Sequence, residues 1–213
     1  MRPIVFLGPS CPQHLAAGVG DIELRPPAAR GDLLAASDAG GQTIILIDGE
    51  MVHGYAPSPS EILCVLQRGV RVLGAASLGA LRAVELRAHG MEGLGWVHDA
   101  YLNGRLAGDD EVVSLLFPES FSPLTVPLVR LRYAVERLAV LGDLDAAAGG
   151  AALRELKSLH FEDRSPQRVE GALARAGIGP TLRSRLLSAE FDIKCIDALA
   201  CIRTATARGL AHA

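Results

Sequence analysis

The first half of the chain alternates short apolar runs with segments of helical periodicity. Three apolar runs have the length of buried strands, at 4–7, 42–47 and 70–73, and residues 21–24 are predicted as a short second strand. Helices are predicted from residue 10 onward and at 32–37, 58–67, 78–89 and 95–102. Strands that alternate with helices at this spacing favour parallel pairing with right-handed crossovers. The pattern therefore predicts an α/β fold with a mostly parallel sheet, flanking helices and a weaker fifth strand at 112–117.

Two of these helices begin with the spacing of a capping box. Ser58 precedes Glu61 by three residues and is followed by Pro59, which suits the first helical position. Ser10 precedes Gln13 by the same spacing. We therefore expect both serine side chains to cap their helices.

The second half has helical periodicity throughout and follows a proline- and serine-bearing break at 118–127. Helices are predicted at 126–141, 151–161, 166–176 and 181–205, with breaks at 142–150 and 177–180. We place a domain boundary after residue 120, between an α/β core (1–120) and a helical C-terminal region (121–213). Charged side chains of the first of these helices, including Arg130, Arg132 and Arg137, are expected to be solvated.

Composition narrows the classes of function. The chain has 213 residues, of which 49% are hydrophobic, enough for one good core and a smaller lobe. A net charge of −3 without a basic run argues against nucleic-acid binding. No apolar run approaches the ~20 residues of a membrane span, and Gly8-Pro9 interrupts the apolar start too early for a signal peptide. The expectation is a cytoplasmic protein with no membrane partner.

The four cysteines, Cys11, Cys64, Cys195 and Cys201, form no C-x-x-C pair, so reduced thiols are expected. Cys11 has a further option, because a helix N-terminus favours its thiolate as a nucleophile or persulfide carrier. The alternative is a small buried residue.

The chemistry is predicted to centre on Ser77, which lies between the strand at 70–73 and the next helix. Ala75-x-Ser77-x-Gly79 resembles a G-x-S-x-G nucleophile elbow with alanine at the first glycine. Backbone N–H groups at this turn, Gly79 among them, would stabilise an oxyanion, and Arg82 would bind an anion. Alternatively, Ser77 only caps the helix and Arg82 pairs with Glu85.

Nucleotide and cofactor binding are not predicted. Gly74-x-x-x-x-Gly79 lacks the Lys and Ser/Thr of a P-loop, and Gly93-x-Gly95 lacks the third glycine of a dinucleotide fingerprint.

Loops after neighbouring parallel strands leave the sheet at one edge, which would bring three segments together. The segment that begins Gly8 to Ser10 would offer backbone donors to an oxyanion, namely the N–H groups of Ser10 and Cys11. A simple turn with a capping serine is equally compatible with the sequence. Asp48 would orient a base or a water, or would serve an ordinary Asp-Gly turn. His53 is the best candidate general base, because loop histidines titrate near neutral pH.

Asp109, Asp110 and Glu111 form an acidic cluster without the His or Cys spacing of a metal site, so no metal is predicted. The expectation is that these acids cap an element or pair with Arg82 or Arg105. Glu85, Asp109 and Asp110 would then hold the residues that contact the substrate in position.

Several blocks of the chain resemble the TfuA-like family, in the right order over roughly residues 4 to 117. They are Phe6-Leu7-Gly8-Pro9-Ser10, Asp48-Gly49, Glu61-Ile62-Leu63, Gly74 to Ala83, Glu85-Leu86, Gly90-Met91-x-Gly93-x-Gly95 and Asp109 to Val112. Two positions depart from the family pattern: Leu78 stands where many members have Met, and Pro59-Ser60 where many have His-Lys.

The resemblance implies a role beside YcaO enzymes in peptide backbone thioamidation. Members of the TfuA-like family are thought to hydrolyse the C-terminal thiocarboxylate of a small ubiquitin-like sulfur carrier protein. In this chain, the resemblance implies Ser77 as the nucleophile or water-positioning residue. Two alternatives are a non-catalytic adaptor that docks the carrier onto a YcaO partner, and a generic α/β esterase.

Overall fold

The computed structural model describes residues 2–52, 54–117 and 119–209, and its centre is a five-stranded parallel sheet. The strands are β1 (Ile4–Phe6), β2 (Glu23–Arg25), β3 (Thr43–Leu46), β4 (Arg71–Ala75) and β5 (Glu92–Leu94). Their order across the sheet is β2-β1-β3-β4-β5, and every neighbouring pair is parallel. With flanking helices and a helical C-terminal region, this confirms the predicted fold class.

Helices connect the strands and continue beyond the sheet. Those of the first half are α1 (Gln13–Ala17), α2 (Asp32–Asp38), α3 (Pro59–Gln67), α4 (Leu78–Leu86) and α5 (Trp96–Leu102). Those of the second half are α6 (Leu128–Val140), α7 (Ala146–Lys157), α8 (Pro166–Arg175), α9 (Pro180–Leu186) and α10 (Ile193–Gly209). None of the helices within the described ranges combines the length and apolar composition needed to span a membrane.

Both faces of the sheet are covered, because side chains alternate along each strand. Along and just beyond β3, Ile44 and Leu46 join a core with residues of α2, α3 and α4, whereas Ile45 and Ile47 join a second core with α1 and α10. Helix α10 therefore helps to cover one face of the sheet. Together, the described residues up to Asp109 and from Lys194 onward form one compact unit.

The described residues from Asp110 to Ile193 form the other compact unit. Helices α6 to α9 surround their own apolar core, which includes Leu131, Leu156 and Leu173. Two helix predictions are corrected. Helix α7 begins at Ala146, inside the expected break, because Asp145 caps it through the N–H groups of Ala147 and Ala148. The predicted helix at 181–205 is two helices, α9 and α10, with a short 3-10 turn at Ala189–Phe191 between them.

The fifth strand is also corrected. The segment 112–117 contributes only an isolated bridge between Leu116 and Pro123, and β5 is instead the glycine-containing segment Glu92–Leu94. Pairing defines this strand, since Leu73, Gly74 and Ala75 of β4 lie opposite it. Glycine is depleted in strands, so local propensity argued for a loop there.

The two capping predictions have different outcomes. The Ser58 hydroxyl accepts the N–H of Glu61 at 3.2 Å, as predicted. The N-cap of α1 is Pro12, without a side-chain cap, and the Ser10 hydroxyl bonds elsewhere. The capping prediction for Ser10 is therefore wrong.

Candidate functional site

The strand order places the predicted loops at a topological switch point. From β1 the chain passes to β2 on one side of it and then to β3 on its other side. Doubly wound sheets bind ligands in the crevice outside the carboxyl ends of strands at such a point. The segments that leave β1, β3 and β4 here contain Ser10, Asp48 and Ser77.

Asp48 is the centre of a buried polar cluster at this edge. Its Oδ2 accepts the N–H groups of Gly8 at 2.9 Å and Ser10 at 3.0 Å, and its Oδ1 accepts the Ser10 hydroxyl at 2.5 Å. The ammonium nitrogen of Lys194 lies 4.0 Å from the same Oδ1, and only 3% of either side chain is exposed. Because the charge is paired and hydrogen-bonded, the carboxylate is accommodated despite its burial.

These bonds change the predicted roles of the β1 loop. The N–H groups of Gly8 and Ser10 point to the Asp48 carboxylate rather than to an open position for an oxyanion. A Cβ at Gly8 would overlap the ring of Pro27, so glycine lets the two loops approach. Both residues therefore hold Asp48 in place in this structure.

Ser77 follows a sharp turn at the end of β4. Its N–H donates to the carbonyl of Ala75 at 2.7 Å, and Ala76 between them has a φ of 66°. This is the rare γ-turn with positive φ at its centre, and such backbone strain concentrates at functional sites. The strained residue is Ala76, one position before the serine expected at the centre of the elbow.

The Ser77 side chain is 3% exposed and stands at the N-cap position of α4 without making a cap hydrogen bond. Side-chain capping, one of the two alternatives from the sequence, is therefore not its role in this structure. Among the described residues, the next N–H, that of Leu78, has no hydrogen-bond acceptor. In a nucleophile elbow, this is the backbone N–H that stabilises the oxyanion.

Gly79 allows the start of α4 to approach β3 closely. Its N–H donates to the carbonyl of Ile47 at 3.2 Å, so this predicted oxyanion donor instead joins α4 to the end of β3. A Cβ at Gly79 would overlap the carbonyl of Leu46. The residue therefore brings the Ser77 turn next to the segment that carries Asp48.

Arg82 has two partners. Its Nη1 donates to Glu85 Oε2 at 2.8 Å, the i,i+3 pair considered from the sequence, and its Nε donates to the carbonyl of Pro57 at 3.0 Å. Glu85 thus supports Arg82, and Arg82 holds the segment before α3. Anion binding by Arg82 stays a prediction.

The first turn of α10 adds three residues that the sequence analysis missed. Lys194 approaches Asp48, Cys195 forms a disulfide with Cys11, and the Asp197 carboxylate accepts the N–H groups of Trp96 at 3.0 Å and Val97 at 2.8 Å. A carboxylate from the C-terminal helix thus caps α5. The available signal in the sequence was Lys194, one of only two lysines in the chain.

Burial raises the pKa of two side chains near this turn, Asp197 and Cys201. It raises the pKa of Asp197 from 3.8 to about 6, although the bonds from Val97 and Trp96 act in the opposite direction. Burial also raises the pKa of the Cys201 thiol to about 12. The Cys201 thiol therefore stays protonated at neutral pH, and a thiolate nucleophile is not expected there.

The Cys11–Cys195 disulfide corrects the expectation of reduced thiols at these two positions. The two residues are 184 positions apart in sequence, which is why no spacing motif indicated the pair. Cys64 and Cys201 are free. With its sulfur in a disulfide, Cys11 has no thiolate to act as a nucleophile in this state.

The acidic cluster has partners other than Arg82 or Arg105. Within the second compact unit, Arg164 donates to the Asp110 carboxylate at 3.1 Å, and Arg132 binds Glu111 in a bidentate pair at 2.7 and 2.8 Å. Arg130 donates to the carbonyls of Leu187 and Ser188. The prediction that Arg130 and Arg132 are merely solvated is therefore wrong, while Arg137 is exposed.

Two further residues were predicted at the site, Asp109 and His53. Asp109 is exposed. His53, the predicted general base, lies outside the described residues. Within the ranges that are described, no group of three or more His, Cys, Asp or Glu side chains is arranged to hold a metal ion.

Comparison with known proteins gives one family. A family model described as "TfuA-like protein" matches residues 48–165, which include Asp48, Ser77 and Arg82. No curated protein matches the chain. Lys194, Cys195 and Asp197 lie beyond the matched range.

Proposed function

Because this chain belongs to the TfuA-like family, which is associated with YcaO-dependent thioamidation, we propose that it supplies the sulfur for this modification. Its reaction is hydrolysis of the C-terminal thiocarboxylate of a small ubiquitin-like sulfur carrier protein. The partners are that carrier and a YcaO enzyme, which uses the released sulfur to form a peptide thioamide.

The Ser77 turn is the observation that carries this proposal. A buried hydroxyl that does not cap its helix stands directly before the Leu78 N–H, which has no acceptor within the described residues. An acyl carbon placed beside this hydroxyl would have its oxygen next to the N–H, which suits a tetrahedral intermediate. Asp48, on the adjacent segment, supports the loop from β1 that faces the same edge.

The reaction balances without an oxidant or a cofactor. In the covalent route, the Ser77 oxygen attacks the thiocarboxylate carbon and its proton passes to a base. The base returns this proton to the sulfur as the carbon–sulfur bond breaks, so that hydrosulfide leaves. Water then cleaves the acyl-serine ester, which leaves the carrier with a C-terminal carboxylate, regenerates the hydroxyl and releases one proton to solvent. In the alternative route, Ser77 positions a water that attacks the same carbon directly.

A non-catalytic adaptor is the rival function. In that case the Ser77 turn binds the carrier tail and presents it to the YcaO enzyme without cleavage. The arrangement at Leu78 favours the hydrolase, because an acceptor-free N–H beside a nucleophile stabilises an oxyanion that only a reaction creates.

Ser77→Ala separates the hydrolase from the adaptor. Thiocarboxylated carrier is incubated with the protein, and the carrier mass and released hydrosulfide are followed with time. We expect the wild type to convert the carrier to its carboxylate form and Ser77→Ala to be slower by about a hundredfold or more. Since Ser77 makes no cap bond, its loss should change the melting temperature little.

Ser58→Ala is the matched control, because Ser58 does cap its helix through the N–H of Glu61. It should lose about 1 kcal/mol of stability and keep wild-type turnover. Wild-type turnover in Ser77→Ala would rule out Ser77 as the reacting or water-positioning group. A wild-type protein that binds the carrier but releases no hydrosulfide would favour the adaptor.

A further inference from the structure

An exposed arginine and an exposed tyrosine lie side by side at the carboxyl edge of the sheet. The guanidinium of Arg30, on the loop after β2, lies over the ring of Tyr55, on the loop after β3, with 4.9 Å between the guanidinium carbon and the ring centroid. Arg30 is exposed, and Tyr55 is 74% exposed. Within the described part of the chain, the Arg30 guanidinium has no acidic partner. The two side chains therefore present an unneutralised positive charge and an aromatic ring to solvent.

The backbone that carries Arg30 is held in place by several hydrogen bonds, although the side chain is exposed. The Arg30 N–H donates to the Tyr55 carbonyl at 2.7 Å. The buried Glu61 carboxylate accepts the N–H groups of Gly31 at 3.0 Å and Leu33 at 3.1 Å. Because this loop is already ordered, little conformational entropy remains to be lost when a partner binds Arg30.

Backbone pairing brings the Arg30 loop next to the Ser77 turn. Two residues before Arg30, Ala28 forms a parallel bridge with Gly49. A Cβ at Gly49 would overlap the side chain of Leu78, which directly follows Ser77. The loop with the exposed arginine therefore lies beside the proposed site. A protein whose C-terminal group reaches Ser77 would lay its preceding residues across this neighbouring surface.

We propose that Arg30 and Tyr55 dock the sulfur carrier, with Arg30 bonding a carboxylate side chain in the stretch that leads to the carrier's C-terminal group. This inference rests on the proposed function for the identity of the partner. An acidic segment is attracted to an exposed cation that no local acid neutralises, and such complementarity selects the partner. Arginine and tyrosine are also enriched among the residues that contribute most of the binding energy at protein interfaces.

Steady-state hydrolysis of the thiocarboxylated carrier by full-length variants tests this docking. The Arg30 side chain contacts only the exposed Tyr55 ring, so Arg30→Glu should keep the fold, which the melting temperature checks. We expect KM for the carrier to rise about tenfold or more while kcat stays within about twofold, because Arg30 binds the carrier away from the reacting carbon. Tyr55→Ala should raise KM several-fold for the same reason.

Arg87→Glu is the matched control. Arg87 is likewise exposed and has no acidic partner among the residues that the structure describes, but it follows α4 at the opposite edge of the sheet. Arg87→Glu should keep the wild-type KM and kcat. The acidic side chains of the carrier tail are then replaced by lysine, one at a time. One of these replacements should restore a low KM with Arg30→Glu, which identifies the carboxylate that pairs with Arg30.

The outcomes separate docking from hydrolysis. Equal KM values for Arg30→Glu and Arg87→Glu, or a carrier tail in which no lysine replacement restores the KM of Arg30→Glu, overturn the docking role and leave hydrolysis standing. If the wild type releases no hydrosulfide, calorimetry with the carboxylate form of the carrier measures affinity instead. Binding that is weakened by Arg30→Glu and not by Arg87→Glu would then support docking and contradict hydrolysis. A wild-type protein that binds no carrier contradicts both.

Discussion

Single glycines decide how closely the Ser77 turn approaches its neighbours. Gly79 is the second residue of α4, and its N–H donates to the Ile47 carbonyl. Any side chain there would overlap the Leu46 carbonyl, which belongs to the central strand β3 and cannot move aside without breaking the sheet. The positions of Asp48 and Ser77 therefore depend on the absence of one methyl group.

Gly79→Ala should destabilise the sheet unit although alanine is the better helix former. We expect a loss of about 2–3 kcal/mol, within the range for overpacking, and a parallel loss of activity. Gly150→Ala is the control, because Gly150 lies inside α7 with only the end of the Arg154 side chain nearby. It should gain about 1 kcal/mol from helix propensity. Urea unfolding measures both, and a stable, active Gly79→Ala protein would contradict the close approach.

At the scale of elements, the first turn of α10 holds together the loops at the carboxyl edge. Three of its residues contact three different segments: Lys194 the end of β3, Cys195 the loop after β1, and Asp197 the start of α5. Helix α10 thus links the segments on both sides of the switch point. Its role follows from contacts between residues far apart in sequence.

The pH dependence of stability tests the Asp197 contact. Burial raises the pKa of Asp197 from 3.8 to about 6, so the folded state binds its proton more tightly than the unfolded chain. The resulting stability is present below about pH 4 and is lost as the pH rises through about 6. Relative to Asp197→Asn, the wild type should lose about 3 kcal/mol from about pH 4 to about pH 7 and then stay level.

Urea denaturation of both proteins across this range measures the difference. A difference between the wild type and Asp197→Asn that stays constant with pH would mean that Asp197 titrates as an ordinary carboxyl group.

At the scale of the molecule, the sheet unit is discontinuous in sequence. It contains the described residues up to Asp109 and those from Lys194 onward, and residues 110–193 form the helical unit between them. Both parts of the sheet unit contribute to one apolar core, where Ala198 and Ile202 join Val5 and Ile45. Residues 110–193 have a separate core of their own.

Fragments test this organisation against the boundary predicted after residue 120. A fragment of residues 110–193 should give a helical circular dichroism spectrum and a cooperative thermal transition. A fragment of residues 1–120 lacks α10, which together with α1 covers one face of the sheet, so we expect it to aggregate or to unfold without cooperativity. Cooperative melting of 1–120 near the temperature of the full chain would instead support the boundary from the sequence.

Local patterns were sufficient for much of the α/β fold. Local sequence patterns predicted four of the five strands, and Ser58, Pro59 and Glu61 predicted the start of α3, because strand periodicity and helix caps depend on residues close in sequence. The order of strands also follows the expected parallel pairing, so the loops after β1, β3 and β4 meet as predicted. Ser77 could be identified as a candidate because a strand, a turn and a helix follow one another directly.

Tertiary structure alone decided the rest, since those features join residues that no local pattern connects. Strand β5 exists because β4 offers it a pairing edge, and the Ser10 hydroxyl bonds Asp48 instead of capping α1 because that carboxylate is buried beside it. Lys194 and Asp197 reach the site only because α10 covers a face of the sheet built by the first half of the chain. Sequence alone thus determined most of the elements and the candidate serine, whereas long-range packing determined the remaining strand and which charges surround the serine.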